Sequence, residues 1–148
     1  MTDAVFDHFS MSLPAGWLEL TEEVTTYSDP TERERRTFAR PGGTAVLHVS
    51  LLALDPDNPP AASADYALTL ARDWGRLRGC PYPLSTSATE RDDQVIAGAE
   101  YRLAGEYIAV YYLSNGEATL HASFITSWKT RKEEIPARDQ MISTLMIG

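Results

Sequence analysis

The sequence predicts an α+β domain: a predominantly antiparallel sheet of about six to seven strands with two main helices. Three observations carry this. Residues 84–128 read as strand throughout, divided only by short turn signals. Two segments, one in mid-chain and one at the C-terminal end, carry helical spacing instead. The order is strands, helix, meander, helix, which favours antiparallel pairing.

The first strand is "FSMSL", Phe9–Leu13. It ends in "PAGW": Pro14 cannot continue a central ladder, Gly16 permits a turn, and Trp17 is expected to fold back onto the sheet or first helix. Trp17–Leu20 and Val24–Tyr27 form a second piece, and Thr31–Arg40 is charged at first and then strand-like. Gly42-Gly43 reads as a hairpin turn into Thr44–Leu54, a β-branched and apolar strand. Asp55–Pro60 is a loop by composition. A helix follows, with Ser63 as cap, Asp65 at its positive end and Gly79 just past its end. Its apolar stripe is Tyr66, Leu70 and Trp74 with Ala67, Ala71 and Leu77. The meander turns at "ERDDQ", at Ala104-Gly105 and at Asn115-Gly116, the last expected as a type I′ turn. Glu133–Ile147 is the second helix, with Ile135, Ile142, Leu145 and Met146 on one side and Pro136 in its first turn.

Two-residue turns fix a register. Tyr101 opposes Ile108 and Ala99 opposes Val110; Tyr112 opposes Thr119 and Val110 opposes His121. One face then carries Tyr107, Tyr111, Leu120, Ala122 and Phe124, and reads as core. The other carries Tyr101, Ile108, Val110, Tyr112, Thr119, His121 and Ser123. That mixed face has two readings. A helix covers it and His121 makes an ordinary hydrogen bond, or Tyr101, Tyr112, Thr119, His121 and Ser123 form an amphipathic partner-binding surface.

The 148 residues fit one domain, 1–148, and 43% hydrophobic content supports a real core. A net charge of −8 argues against nucleic acid and against anionic membrane surfaces, and suits a basic or apolar protein partner. A single cysteine, Cys80, excludes an internal disulfide and a cysteine-based zinc site. The N-terminus has no basic and apolar leader pattern, and no apolar run has the length of a membrane span, so a cytoplasmic protein is expected.

Chemistry is sparsely marked. His8 lies in an N-terminus expected to be loose; His48 and His121 lack a third partner for metal binding or catalysis. Cys80 reads as a loop or packing residue without a base beside it. There is no nucleophile elbow, phosphate loop or dinucleotide fingerprint. The adjacent pairs Glu22-Glu23, Asp92-Asp93 and Glu133-Glu134 read as solvated charge, and Trp74 and Trp128 as core anchors. No catalytic residue, metal site or cofactor is expected.

A short strand ending "LPAGW", a strand such as "AVLHVSLL", a helix, a meander and a C-terminal helix together resemble the PsbP-like superfamily, which includes DcrB-like bacterial proteins. The resemblance spans the whole chain in element order, and its quotable motif is Leu13-Pro14-x-Gly16-Trp17. It implies an α/β/α sandwich and a mostly non-enzymatic function. For a small bacterial member it implies an adaptor chaperone or immunity protein of a secretion system, such as type VI secretion, that binds a secreted effector or toxin. The alternative is a carrier of a small hydrophobic ligand, in a pocket between sheet and helix lined by Tyr107, Tyr111 and Phe124. A third, weaker reading is an enzyme using His48 and His121. A homodimer through a sheet face or edge is also compatible.

Overall fold

The computed structural model describes residues 2–20, 32–53 and 55–148. Among the described residues the large sheet has seven strands. In spatial order they are β3 (Leu18–Leu20), β4 (Glu32–Ala39), β5 (Val46–Leu52), β9 (Thr119–Ser127), β8 (Glu106–Ser114), β7 (Val95–Leu103) and β6 (Ser85–Glu90). All the pairings are antiparallel. A second, three-stranded sheet has the order β1 (Thr2–Val5), β2 (Phe9–Leu13) and β10 (Met146–Ile147). The helices are α1 (Ala64–Arg76) and α2 (Arg131–Thr144). The fold is thus α+β as expected, with α1 on one face of the large sheet and α2 plus the small sheet on the other.

Alternation decides which residues meet which layer. Leu47 and Val49 of β5, Leu120, Ala122 and Phe124 of β9, and Leu113 and Ala109 of β8 bury towards α2 and β2. Phe9, Met11 and Leu13 of β2 close that core from above. The opening motif works as a turn: Gly16 has φ +84°, Trp17 N–H donates to Pro14 C=O at 3.0 Å, and the Trp17 ring stacks on Phe124 at 6.3 Å between centroids. On the opposite face Ala67 and Ala71 let α1 sit close to Val95, Ala97, Ala99 and Tyr101 of β7. Ser63 caps α1 as expected, accepting from Tyr66 N–H.

Several expectations are corrected. Ala104 (φ 51°) and Gly105 (φ 80°) are the pair with left-handed backbone, so the type I′ turn is theirs. At the next hairpin the Asn115 side chain instead accepts from the Glu117 and Ala118 N–H groups, which stabilises a four-residue loop. Tyr112 therefore faces His121, and Val110 faces Ser123, two residues from the expected register. A shift of two keeps every side chain on its expected face.

The N-terminus is a strand, not loose: β1 pairs with β2, and Gly148 N–H donates to His8 C=O at 3.1 Å. The second helix starts at Arg131 after a short 3₁₀ turn, so Pro136 lies in its second turn. It stops at Thr144, and Met146 belongs to β10 and is exposed. Leu77, placed on the α1 stripe, is also exposed, just beyond the helix end. Trp128 opens the 3₁₀ turn and is half-buried, its ring lying against the guanidinium groups of Arg102 and Arg131. Val24–Tyr27 and Glu22-Glu23 lie outside the described residues.

Candidate functional site

Strand β6 reads Ser-Thr-Ser-Ala-Thr-Glu, with no large apolar residue on either side, and all six residues are exposed. It forms one edge of the large sheet. Its inner neighbour β7 carries Ile96, Gly98 and Glu100 opposite Thr89, Ser87 and Ser85. These side chains share the α2 face, but α2 packs mainly on β2 and β9. A cavity of about 600 Å³ is left between β6, β7 and the flank of α2, lined by Ser85, Ser87, Glu100, Tyr111, Arg138 and Asp139 among others.

Gly98 shapes its floor. A Cβ there would come within 2.6 Å of the Tyr111 ring, so glycine lets that ring lie over the β7 backbone. Glu100 is the polar centre. Its Oε1 accepts from Tyr107 Oη at 2.5 Å and from Arg138 Nη1 at 2.6 Å, and its Oε2 accepts from Ser85 Oγ at 2.5 Å. Arg138 Nη1 also meets the Tyr107 hydroxyl, and its Nε and Nη2 donate to Asp139 Oδ1.

Burial alone would push the Glu100 carboxyl up. Donation by Ser85, Tyr107 and Arg138 outweighs it and holds Glu100 below the usual glutamate range. Burial, helped by the facing Glu100 carboxylate, raises Tyr107 well above an ordinary phenol; Tyr111 is raised by burial foremost. For Arg138, burial works against the charge, but the neighbouring tyrosines, Asp139 and Glu100 reverse the sign and keep it protonated. Two carboxylates thus share one guanidinium.

The far end of the cavity is held by Arg91, whose guanidinium donates to the C=O groups of Leu145, Ile142 and Ser143 at the α2 C-terminus. Gln94 next to it pairs through its side-chain amide with both backbone groups of Ile147, at 2.7 and 3.0 Å. Together they dock β10 beside the β6–β7 turn.

A second cleft, of about 410 Å³, lies between α1 and the loop after β5. Leu70, Trp74 and Tyr112 form its apolar wall, with Asp55, Asp73 and Arg78 among its polar groups. The Arg78 guanidinium lies over the Trp74 ring at 4.1 Å.

The five residues expected at a partner surface share one face. Their exposures are 1% for Tyr101, 8% for Tyr112, 3% for Thr119, 5% for His121 and 8% for Ser123. Tyr101 is held under α1, its hydroxyl donating to Ala71 C=O at 2.8 Å. Tyr112 packs against His121 at 4.7 Å between ring centroids, and Thr119 hydrogen-bonds with Tyr66 at 3.1 Å. Tyr112 and Thr119 reach the floor of the second cleft. A partner gains access to the rest only by displacing what covers them.

His48 and His121 share that face on neighbouring strands, offset by two residues, and His48 Nδ1 lies 2.9 Å from Thr37 Oγ1. Among the described residues, no group of three or more His, Cys, Asp or Glu could hold a metal ion. Of the residues proposed for an apolar pocket, Tyr107 and Phe124 are buried in the core under α2, while Tyr111 lines the first cavity, whose wall mixes Ile96 and Ile142 with charged and hydroxyl groups. Asp92 and Asp93 are exposed as expected, but Glu134 is buried and accepts from Arg40 at 2.9 Å. Cys80 is partly buried against the α1 core, a packing position.

Sheet order, the helix on each face and the small sheet of β1, β2 and β10 define an α+β domain whose fold is that of PsbP. Among solved structures, the chain is similar to the solution structure of cyanobacterial PsbP (CyanoP) from Synechocystis sp. PCC 6803. The TM-score is 0.66 at 13% identity, over 95% of this chain and 86% of that one. A crystal structure from Bacteroides thetaiotaomicron VPI-5482 is similar with a TM-score of 0.52 at 16% identity, over 95% of this chain and 45% of that one. Identities this low establish the fold alone. No family model and no curated protein matches the sequence. Among the described residues, no helix is long and apolar enough to cross a membrane.

Proposed function

We propose that this chain is a non-enzymatic protein-binding module that receives an extended segment of its partner along β6. The observation that carries the reading is the state of that edge. Proteins blunt open edges with lysine, proline, bulges or very short strands. Strand β6 has six residues, no lysine or proline, and an unbroken register from Ser85↔Glu100 to Glu90↔Val95. Over the described residues the opposite edge, β3, has three. An edge of this kind suits β-strand addition, where main-chain hydrogen bonds supply affinity. Just before it stand Tyr82 and Leu84, 88% and 56% exposed, of the apolar kind that anchors interfaces.

The charge of −8 favours a basic partner. With the PsbP-like fold, this supports an adaptor chaperone or immunity protein acting in the cytoplasm on a secreted effector or toxin, as in type VI secretion. Neither nucleic acid nor membrane insertion has a place in it. A homodimer would use the same edge.

The test is affinity capture with wild type and Ala88→Pro side by side. Arg91 N–H donates to Gln94 C=O. Antiparallel alternation from that pair turns the N–H groups of Ser85, Ser87 and Thr89 towards β7 and those of Thr86, Ala88 and Glu90 outwards. Proline at position 88 therefore blocks an added strand without removing a β6–β7 bond. A stoichiometric protein held by wild type and lost by Ala88→Pro is expected; equal retention rules the edge out.

A second reading is favoured by the cleft beside α1: carriage of a small apolar ligand against Leu70, Trp74 and Tyr112. Native mass spectrometry of freshly purified protein would reveal such a cargo, and a bare apo mass, unchanged by added hydrophobic compounds, counts against it.

A further inference from the structure

We propose that the segment received at β6 carries a lysine or arginine whose cation enters the cavity beside α2 and meets Glu100 and Asp139. This rests on the edge reading above and adds the chemistry of the partner.

Geometry comes first. In a strand added to β6, the residues opposite Ser85, Ser87 and Thr89 fall in non-hydrogen-bonded pairs, where side chains approach most closely. They point to the same face as those three residues, which is the face of the cavity. The Glu100 carboxylate leans towards that edge, because Ser85 Oγ on β6 holds its Oε2 at 2.5 Å. A lysine or arginine stem spans one strand spacing, about 4.8 Å, so its head can reach this oxygen.

Charge comes second. Glu100 and Asp139 share the Arg138 guanidinium, which leaves that cluster with one net negative charge, while the cavity's other cation, Arg91, is turned at the far end to the C=O groups of Leu145, Ile142 and Ser143. Arg138 is engaged by both carboxylates and by Tyr107. The two Asp139 hydrogen bonds from Arg138 both fall on Oδ1, and Oε2 of Glu100 accepts from Ser85. Asp139 Oδ2, the second lone pair of Glu100 Oε2 and the Tyr111 hydroxyl are acceptors on the cavity wall suited to an ammonium or guanidinium. An acidic partner residue would meet this cluster at a cost, and a neutral one would leave its charge uncompensated.

The experiment tethers the probe. A Thr/Val-alternating strand with Lys, Gln or Glu at its centre is fused after Gly148 through a flexible Gly/Ser linker. Arg91 and Gln94 hold that end of the chain beside the β6–β7 turn, so the effective concentration is high. Amide exchange at Thr86, Ala88 and Glu90 reports strand addition directly. The Lys strand is expected to slow these amides about tenfold more than the Gln strand, the worth of one charge-assisted hydrogen bond, and the Glu strand least. In Glu100→Gln, and in the exposed-site variant Asp139→Asn, the Lys advantage should shrink while protection by the Gln strand persists. Equal protection by all three strands, or a Lys advantage untouched by both variants, overturns the cavity proposal and leaves the edge reading standing. No protection by any strand overturns both.

Discussion

Gly75 offers the sharpest test of how α1 seats on the sheet. It lies in the last turn of α1, buried, where a Cβ would overlap the Tyr101 ring and come within 2.6 Å of Cys80 C=O. Tyr101 cannot swing aside, because its hydroxyl is fixed to Ala71 C=O and it is 1% exposed. Nor can the carbonyl move freely, since Cys80 N–H is itself bonded to Gly75 C=O at 2.8 Å. Gly75→Ala gains about 1 kcal/mol of helix propensity. Against this stands overpacking of about 1–3 kcal/mol, with a backbone atom in the way placing it at the upper end. The net expectation is a loss of about 2 kcal/mol, or roughly 4–8 °C in Tm for a chain this size. Urea unfolding should show a lower midpoint with unchanged slope. Thr69→Ala, an exposed site on the same helix, should instead raise the midpoint slightly. A Gly75→Ala midpoint at or above wild type would refute the close seating of α1 on β7.

Ala104→Asn places the preferred residue at the left-handed first position of the β7–β8 turn and should raise stability by about 0.5–1 kcal/mol, read from the urea midpoint. Glu100 is held below its ordinary range in the folded chain, so its contribution is present above that range and is lost as pH falls through its folded value. Glu100→Gln should flatten this part of the acid limb of the stability profile; an unchanged limb would remove the Ser85–Tyr107–Arg138 cluster as its cause. Tyr101, Tyr107 and Tyr111 are all raised, so they stabilise the fold below the ordinary phenol value of about 10 and lose this as pH rises beyond it. In an ultraviolet titration these three phenols should ionise late and together, with loss of the fold.

The local pattern carried much of this fold. Alternation in 46–52 and 95–127 and the four-residue stripe of α1 need only neighbouring residues to be read, and they place nearly every core side chain on its true face. What escaped depends on distant partners. Strand β10 is two residues long and exists because the Gln94 amide and β2 supply its hydrogen bonds. Asn115 closes its loop with its side chain, not its backbone, which the Asn-Gly pair does not announce. The cavity gathers β6, β7, β8 and α2, and no spacing announces it. Two traces were present: Gly98 alone inside a strand, which marks a close approach, and "STSATE", without a large apolar residue, which fits an exposed edge strand. The mixed face is rich in residue types that suit an interface, but Tyr101 gives its hydroxyl to Ala71 of α1 and its ring to Trp74, and Tyr112 and His121 pack ring against ring.

If β6 is the docking edge, a bound partner adds to it as an eighth strand. Once a partner is in hand, amide exchange of the complex, residue by residue, tests it most directly. New protection is expected at Thr86, Ala88 and Glu90, whose N–H groups face away from β7, with the α1 cleft unchanged. Protection around Tyr66, Trp74 and Arg78 with those three amides still exchanging freely would contradict it and move binding to the other face.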